Sequence, residues 1–285
     1  MKLGINTYTY MWSSGFEGAR PERPLTALGL LEKAHELGVR VVQIGPNLPL
    51  DRLPEAELDR LDRQAREWGI ELELGTRGLE TDHLAGQVGL CRRFGSTLLR
   101  TVPEIGGQTP ETQDIPGYLR EILPLLEQAG PVLSPSTPLG VNYVEGVRLA
   151  MENGKIPAEE LRGVLEEVNS PLVGIVLDSV NSLAVPEGWK HVTQVLAPYT
   201  MCLHFKDFVV KRVWHMMGFV CEGRPAGQGQ LDTPWLLETL KASRYDFNVI
   251  LELWPPEQKT LPETIALEQA WAKESISYLR QYVKD

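Results

Sequence analysis

Ionisable residues follow four apolar runs in the second half of the sequence. They are Glu152 after VRLAM, Asp178 after VGIVL, His204 after MCL and Glu252 after VIL. If these runs are neighbouring parallel strands, their carboxyl ends meet at one edge and bring the four side chains together. Three carboxylates at such short range repel one another unless a cation lies between them. The four residues therefore predict a centre for one divalent metal ion.

The donor types narrow the choice of metal. Carboxylate oxygens and one imidazole nitrogen, without a thiolate, suit Mn²⁺, Mg²⁺ or Co²⁺ better than a structural zinc ion, and of these we favour Mn²⁺. The three cysteines, Cys91, Cys202 and Cys221, show no CxxC spacing. They indicate neither a disulfide framework nor a cysteine zinc site, and we expect a cytoplasmic location.

Elements of two kinds must position these residues. Short apolar runs alternate with longer amphipathic segments, a pattern typical of βα units around a parallel sheet. The predicted strands are 3–8, 40–44, 70–75, 97–101, 147–152, 173–178, 201–205 and 248–253. The predicted helices are 25–37, 53–68, 80–94, 116–128, 157–168, 187–198, 234–243 and 263–283.

Eight strands, each followed by a helix, predict the α/β class and a (β/α)₈ TIM barrel that forms a single domain over residues 1–285. A doubly wound open sheet is the alternative, but no Gly-x-Gly-x-x-Gly turn follows the first strand. Gly38, Gly69 and Gly95 each end a predicted helix just before a strand. Segment 129–140 (AGPVLSPSTPLG) is either an extended loop or a distorted continuation of the preceding helix.

Charge and hydropathy exclude several classes of partner. The chain has 285 residues with 28 Lys and Arg against 38 Asp and Glu, a net charge of −10. A net-negative surface without a basic stripe argues against nucleic acid. The first residues lack the apolar run of a signal peptide, and no run is long enough to span a membrane. We expect a small-molecule substrate, and the last predicted helix leaves a homodimer open.

The sequence resembles the sugar phosphate isomerase/epimerase group of the xylose isomerase-like TIM barrels. The resemblance runs from LGINTY to the final helix, and GVRLAMEN, GIVLDSVN, LHFKD, GRPAGQGQLD and VILELW carry it. It implies that Glu152, Asp178, His204 and Glu252 hold the metal, and that Glu152 and Glu252 also form the catalytic acid/base pair. DNA-repair endonucleases share the barrel but need many histidines, and this chain has five.

The predicted reaction is isomerisation or epimerisation of a small polyhydroxy carbonyl compound through an enediolate. A metal beside the carbonyl stabilises the enediolate while the glutamates take and return the proton. Two residues depart from the group, since Asn181 and Gln43 stand where many sugar epimerases have histidine and glutamate. A lyase, either a dehydratase or a decarboxylase of a sugar-derived keto acid, is the alternative. A non-catalytic sugar-binding or partner subunit is a third reading.

Further residues are predicted to contact the substrate. Lys206 shares a strand face with His204, although a surface ion pair with Asp207 would also explain it. His215 lies in the long loop after the seventh strand. It is either a residue of a lid that contacts the substrate or an exposed loop histidine. Aromatic residues after strands could form an apolar wall or pack in the core. The full predicted set is Arg224, Lys206, Asn181, His215, Tyr8, Trp12 and Trp254.

A phosphorylated substrate would need cationic or backbone donors. Arg224 precedes a Gly-x-Gly turn, and the resemblance implies that it contacts substrate. Arg224 and Lys206 are the cations that the sequence offers for a phosphate. The backbone amides of Gly227 and Gly229 could also cradle one.

Overall fold

A computed structural model describes residues 1–128, 131–132 and 144–284 of the chain. Eight parallel strands form a closed barrel in which each strand pairs with its neighbours in the chain and the first pairs with the last. The strands, named β1 to β8, are Leu3–Asn6, Val41–Ile44, Glu71–Gly75, Leu98–Thr101, Arg148–Glu152, Val173–Asp178, Thr200–Phe205 and Asn248–Leu251. All eight predicted strands are confirmed, and so is the TIM barrel.

Helices surround the barrel. They are α1 to α9, at Met11–Ser14, Ala27–Leu37, Glu55–Trp68, Thr81–Phe94, Ile115–Gln128, Ala158–Val168, Trp189–Leu196, Thr233–Thr239 and Leu261–Leu279. The eight predicted helices correspond to α2 to α9, and the short α1 was not predicted. The expected glycines Gly38, Gly69 and Gly95 all adopt the left-handed conformation, with φ of 67°, 62° and 67°. That conformation ends each helix and turns the chain into the next strand.

Two features lie outside the βα pattern. Residues 131–132 pair with residues 144–145 in a short antiparallel ladder, and the rest of segment 129–140 lies outside the described residues. A β-hairpin of Asp207–Arg212 and Phe219–Arg224 follows β7 almost directly. The hairpin tip is apolar and exposed, with Trp214 at 92% and Met217 at 89% exposure.

The barrel interior is arranged in two layers. The lower layer is an apolar cluster that includes Val41, Leu98, Ala150, Val176, Cys202 and Ile250. Side chains of a strand alternate between its faces, so residues two positions further on also point inward. Those residues are Gln43, Arg100, Glu152, Asp178, His204 and Glu252. A buried polar layer therefore rests on an apolar floor at the carboxyl ends of the strands.

One buried carboxylate joins α9 to the start of the chain. Glu268 accepts hydrogen bonds from the backbone nitrogens of Trp12 and Ser13, at 2.8 and 3.0 Å, and from Ser13 Oγ at 2.6 Å. Burial raises the pKa of this carboxyl group from 4.5 to about 7, although the hydrogen bonds oppose the rise. Among the described residues, no helix is both long and apolar enough to cross a membrane.

Candidate metal centre

Three of the four predicted ligands form a compact group in the polar layer. Glu152, Asp178 and His204 are buried, and one ligating atom from each lies within 4.8 Å of those of the other two. Glu252 falls outside that group, but its Oε1 lies 3.0 Å from His204 Nδ1. The barrel therefore brings all four residues to one place.

The orientation of His204 is set by Gln43. The Gln43 amide nitrogen donates to Glu73 Oε2 at 3.1 Å, so its carbonyl oxygen faces His204 Nε2 at 2.7 Å. His204 Nε2 must therefore carry the proton in that hydrogen bond. The opposite nitrogen, Nδ1, faces Glu152 Oε2 at 3.2 Å as well as Glu252. Its lone pair would point at two carboxylates unless a proton or a metal ion lay between them.

Two cations, the buried Arg100 and the partly buried Lys206, pair with the carboxylates. Arg100 Nε lies 2.6 Å from Glu152 Oε2, and its Nη1 donates to the carbonyl of Thr76 at 3.1 Å. Lys206 Nζ lies 2.6 Å from both Asp178 Oδ2 and Glu252 Oε2. The site thus contains three carboxylates and two fixed positive charges before any metal is added.

Amides complete the arrangement around the acids. Asp178 Oδ1 accepts from the backbone nitrogens of Val180 and Asn181, at 2.8 and 2.9 Å. The Asn181 side chain donates to Glu152 Oε1 at 2.7 Å, and Asn6 donates to Glu252. These hydrogen bonds leave one oxygen of Asp178 directed into the site.

The site charges shift the pKa of each ligand. Burial opposes the ionisation of Glu152, but Arg100 and His204 outweigh it and lower its pKa to about 2. Burial opposes the ionisation of Glu252 too, and His204 and Lys206 hold its pKa well below the usual range. The pKa of Asp178 is raised by burial despite Lys206. Burial disfavours imidazolium, yet the two glutamates raise the pKa of His204 well above 6.5.

These residues fit a divalent metal ion. Asp178 Oδ2 and His204 Nδ1 are buried and form no hydrogen bond of good geometry among the described residues, although Lys206 and the glutamates are close. Buried polar atoms without partners are rare and call for an explanation. A cation at their common point would be bound by oxygens and one nitrogen, the donor set of Mn²⁺, Mg²⁺ or Co²⁺.

A cavity of about 630 Å³ opens above this centre. Glu152, Glu252 and Lys206 reach it from the polar layer, and Arg100 lies beside them. Four of the predicted substrate contacts line it: Tyr8, Asn181, Lys206 and Trp254. The cavity is large enough for a small polyhydroxy compound.

Three other predicted contacts do not line this cavity. The Arg224 guanidinium pairs with Glu222 at 3.0 Å and donates to the Gly223 carbonyl at 2.6 Å. His215 lies at the exposed hairpin tip against Trp214, with ring centroids 5.2 Å apart. Trp12 packs against Phe16, and its indole donates to the Pro255 carbonyl at 3.2 Å. Their predicted contact with substrate stays a prediction.

The Gly-x-Gly turn binds a carboxylate of the protein itself. Asp207 Oδ2 accepts from the backbone nitrogens of Gly227 and Gly229, at 2.8 and 3.0 Å, and Oδ1 accepts from those of Phe208 and Leu231. The predicted phosphate cradle is wrong, because its amides are already occupied. Asp207 also does not form the surface ion pair with Lys206, whose partners are Asp178 and Glu252.

Several residues of the site were not predicted. Arg100 lies one residue before Thr101, the last residue of β4, so the pattern of a polar residue at the strand end did not single it out. Gln43, which departs from the family pattern in the sequence, orients His204 in the structure. Arg77 and Lys155 also line the cavity. Arg224 and Lys206 are therefore not the only cations available to an anionic substrate, which corrects the prediction.

Comparison with known proteins decides the family. The sequence profile described as "xylose isomerase-like TIM barrel" matches residues 31–282. The chain belongs to this family. It is also 33% identical over 279 residues to the 3-oxo-isoapionate decarboxylase of Pectobacterium atrosepticum, covering 98% of this chain and 95% of that protein. The protein is thus an enzyme of the xylose isomerase-like TIM barrel family, and its 33% identical relative is a decarboxylase.

Solved structures of the xylose isomerase-like family share the fold. D-psicose 3-epimerase from Clostridium cellulolyticum H10, solved with D-tagatose, superposes with a TM-score of 0.70 at 15% identity and 100% coverage of both chains. The IOLI protein, solved with a bound zinc atom, gives a TM-score of 0.66 at 20% identity and covers 98% of this chain and 99% of its own. A small sugar-like substrate fits this family.

Proposed function

We propose that the protein is a metal-dependent lyase that decarboxylates a small sugar-derived 3-oxo acid. Glu152, Asp178, His204 and Glu252 hold the metal, for which Mn²⁺ is favoured. The observation that carries the proposal is the pair of cations, Arg100 and Lys206, that lie among these ligands. Arg100 binds Glu152, and Lys206 binds Glu252 and Asp178. The relative that decarboxylates a 3-oxo acid supports the same assignment.

These two cations favour loss of CO₂ over C–H proton abstraction. A carboxylate that is ion-paired with a fixed cation is a weak base, and both glutamates of the expected acid/base pair are paired in this way. Decarboxylation needs no base, because the C–C bond electrons supply the new electron pair. It needs a positive environment for the charge that moves toward the carbonyl.

Each part of the site then has a stated task. A bound divalent metal supplies Lewis acidity that polarises the substrate carbonyl. Arg100 and Lys206 add fixed positive charge beside the reacting atoms. The C–C bond to the carboxylate breaks, CO₂ leaves, and the electron pair of that bond moves into the adjacent carbonyl group as an enolate. Lys206 Nζ then donates the replacing proton to the α carbon. Its ion pairs raise the pKa of the ammonium group, but the enolate carbon is a stronger base than the neutral amine.

Isomerisation or epimerisation is the second candidate. It is favoured by the convergence of Glu152 and Glu252 on His204 Nδ1, at 3.2 and 3.0 Å, because both carboxylates also line the cavity. The two reactions differ in mass balance, because isomerisation leaves the substrate mass unchanged.

The test uses the protein loaded in turn with Mn²⁺, Mg²⁺, Co²⁺ and Zn²⁺, with 3-oxo-isoapionate as the first substrate. We expect metal-dependent release of CO₂, with retention of one metal ion per chain after dialysis. Glu252→Gln should lower kcat/KM by at least about a hundredfold. Glu257→Gln, at an exposed glutamate in the segment that follows β8, is the matched control and should change nothing. A product of unchanged mass would favour the isomerase, and absence of bound metal at any loading would refute the centre.

A further inference from the structure

A cationic cluster lies at the rim of the cavity, outside the polar layer. Glu104, 8% exposed in its side chain, accepts from Arg77 Nε and Nη2 at 3.1 and 3.0 Å. The same Glu104 Oε1 pairs with Lys155 Nζ. Two cations share one carboxylate, so the cluster keeps a net charge of +1.

Both cations keep hydrogen-bond donors that no described residue uses. Arg77 Nη1 has no partner among the described residues, and Lys155 Nζ uses one of its three protons. Their side chains are 47% and 39% exposed, and both line the cavity. The cluster is therefore accessible to a ligand that sits above the metal centre.

The backbone fixes the position of Arg77. The segment that follows β3 stays hydrogen-bonded to the end of β4 and to the residues after it. Thr76 N donates to Arg100 O at 2.7 Å, Gly78 N to Val102 O at 3.0 Å and Leu79 N to Glu104 O at 2.8 Å. This ladder holds Arg77 beside Glu104. The guanidinium is thus positioned before any ligand arrives, and a preorganised donor loses little entropy on binding.

The loop after β5 fixes Lys155. The Asn153 side chain bonds both the backbone nitrogen and the carbonyl of Asp178, at 2.6 and 3.1 Å. Gly154 then turns with φ of +130°, and a Cβ on it would come within 2.6 Å of Asn181 Cβ. Only glycine permits this close turn. Lys155 is therefore anchored to the same strand end that supplies Asp178.

Electrostatics determine how an acidic substrate lies in the cavity. The three carboxylates of the polar layer repel a substrate carboxylate, and the charges of Arg100 and Lys206 are already paired with them. Among the described cations that line the cavity, Arg77 and Lys155 are those not paired with a predicted metal ligand. A bound carboxylate would bring their cluster to neutrality.

We propose that Arg77 and Lys155, held by Glu104, form a carboxylate-binding subsite that orients the acid group of the substrate at the cavity rim. The inference rests on the proposed function, because it assigns the acid group of the keto acid to this subsite. The carbonyl and hydroxyl oxygens then face the metal centre, and the subsite selects keto acids over neutral ketoses.

Two sugars that differ at a single carbon test the subsite. 2-Keto-D-gluconate has a carboxylate where D-fructose has a hydroxymethyl group, and it is not a 3-oxo acid, so it serves as a binding probe. Isothermal titration of the metal-loaded enzyme should show tighter binding of the keto acid. Arg77→Met and Lys155→Met should each weaken keto-acid binding about tenfold and leave fructose binding unchanged.

Controls separate the subsite from general damage and from other anions. Arg120→Met removes a comparably exposed arginine whose surface ion pair with Glu167 is remote from the cavity lining, and it should change neither affinity. Equal weakening of both sugars, or no weakening of the keto acid, would overturn the subsite. If inorganic phosphate displaces 2-keto-D-gluconate in an Arg77-dependent way at lower concentration than acetate does, the subsite belongs to a phosphate and the carboxylate assignment fails.

The outcomes also distinguish the subsite from the proposed reaction. Arg77-dependent discrimination between the two sugars without CO₂ release from 3-oxo-isoapionate would refute the lyase and leave the subsite standing. CO₂ release with no such discrimination would refute the subsite alone.

Discussion

Replacing Glu268 by glutamine should change how folding stability depends on pH. The carboxyl group is buried between α9 and α1, and its pKa rises from 4.5 to about 7 on folding. The folded state therefore binds more protons than the unfolded state between these two values. In the wild type, the contribution of Glu268 to the free energy of unfolding is therefore highest below pH 4.5. It falls as the pH rises to 7 and is constant above that pH.

The magnitude follows from the size of the shift. One pKa unit corresponds to about 1.4 kcal/mol, so this shift costs the folded state about 3 kcal/mol once Glu268 is ionised. Glutamine does not ionise, but it loses hydrogen bonds from Trp12 or Ser13, which adds a cost independent of pH. The quantity to follow is the difference in the free energy of unfolding between the variant and the wild type. It should shift by about 3 kcal/mol in favour of Glu268→Gln between pH 4.5 and 8.

Urea denaturation at four or more pH values across this range measures that difference. Glu274→Gln, on the exposed side of the same helix, controls for the change in net charge. A difference between Glu268→Gln and the wild type that stays constant with pH, within about 0.5 kcal/mol, would refute the assignment of a raised pKa to a buried, ionisable Glu268.

Two further variants should change metal affinity in opposite directions. Lys206→Met removes a positive charge 2.6 Å from two predicted ligands, so we expect Mn²⁺ to bind at least about tenfold more tightly by isothermal titration while CO₂ release is lost. Lys190→Met, at an exposed ion pair, is its control. Unchanged Mn²⁺ affinity in Lys206→Met would contradict the idea that the Lys206 ammonium group competes with the metal ion for the carboxylates. Gln43→Leu removes the acceptor that orients His204 and should weaken Mn²⁺ binding about 10- to 100-fold. Equal affinity in that variant would show that the imidazole needs no such partner.

The sequence was sufficient for the barrel and for the positions of its strand ends. The alternation of strand and helix patterns determines the topology. In a closed barrel the carboxyl ends of the strands lie close together, whatever their side chains are. Glu152, Asp178 and His204 could therefore be placed together from the sequence alone. What the spacing could not give was their partners, because ion pairs such as that of Lys206 with Glu252 depend on side-chain directions.

Loop residues were harder to predict for a physical reason. Arg77 is positioned by the hydrogen bonds that follow β3, and Lys155 is positioned by the tight turn at Gly154. Neither segment has a periodic hydrophobic pattern from which it could be predicted. The hairpin after β7 was expected only as a long loop. Apart from the buried Phe208, its apolar residues are half-buried or exposed, with Phe219 at 72% exposure, so hydrophobic alternation did not mark it as a strand.

The hairpin has a consequence for engineering substrate range. Asp207 binds the backbone on both sides of the turn that follows the hairpin, and the pairs Asp207 with Arg224 and Phe208 with Gly223 close its base. The segment between Val209 and Glu222 can thus be exchanged as a unit, because its two ends are held in place. Cys221, in this segment, lines the cavity. Grafting the corresponding segment of a relative would exchange part of the wall while the predicted metal ligands below keep their positions.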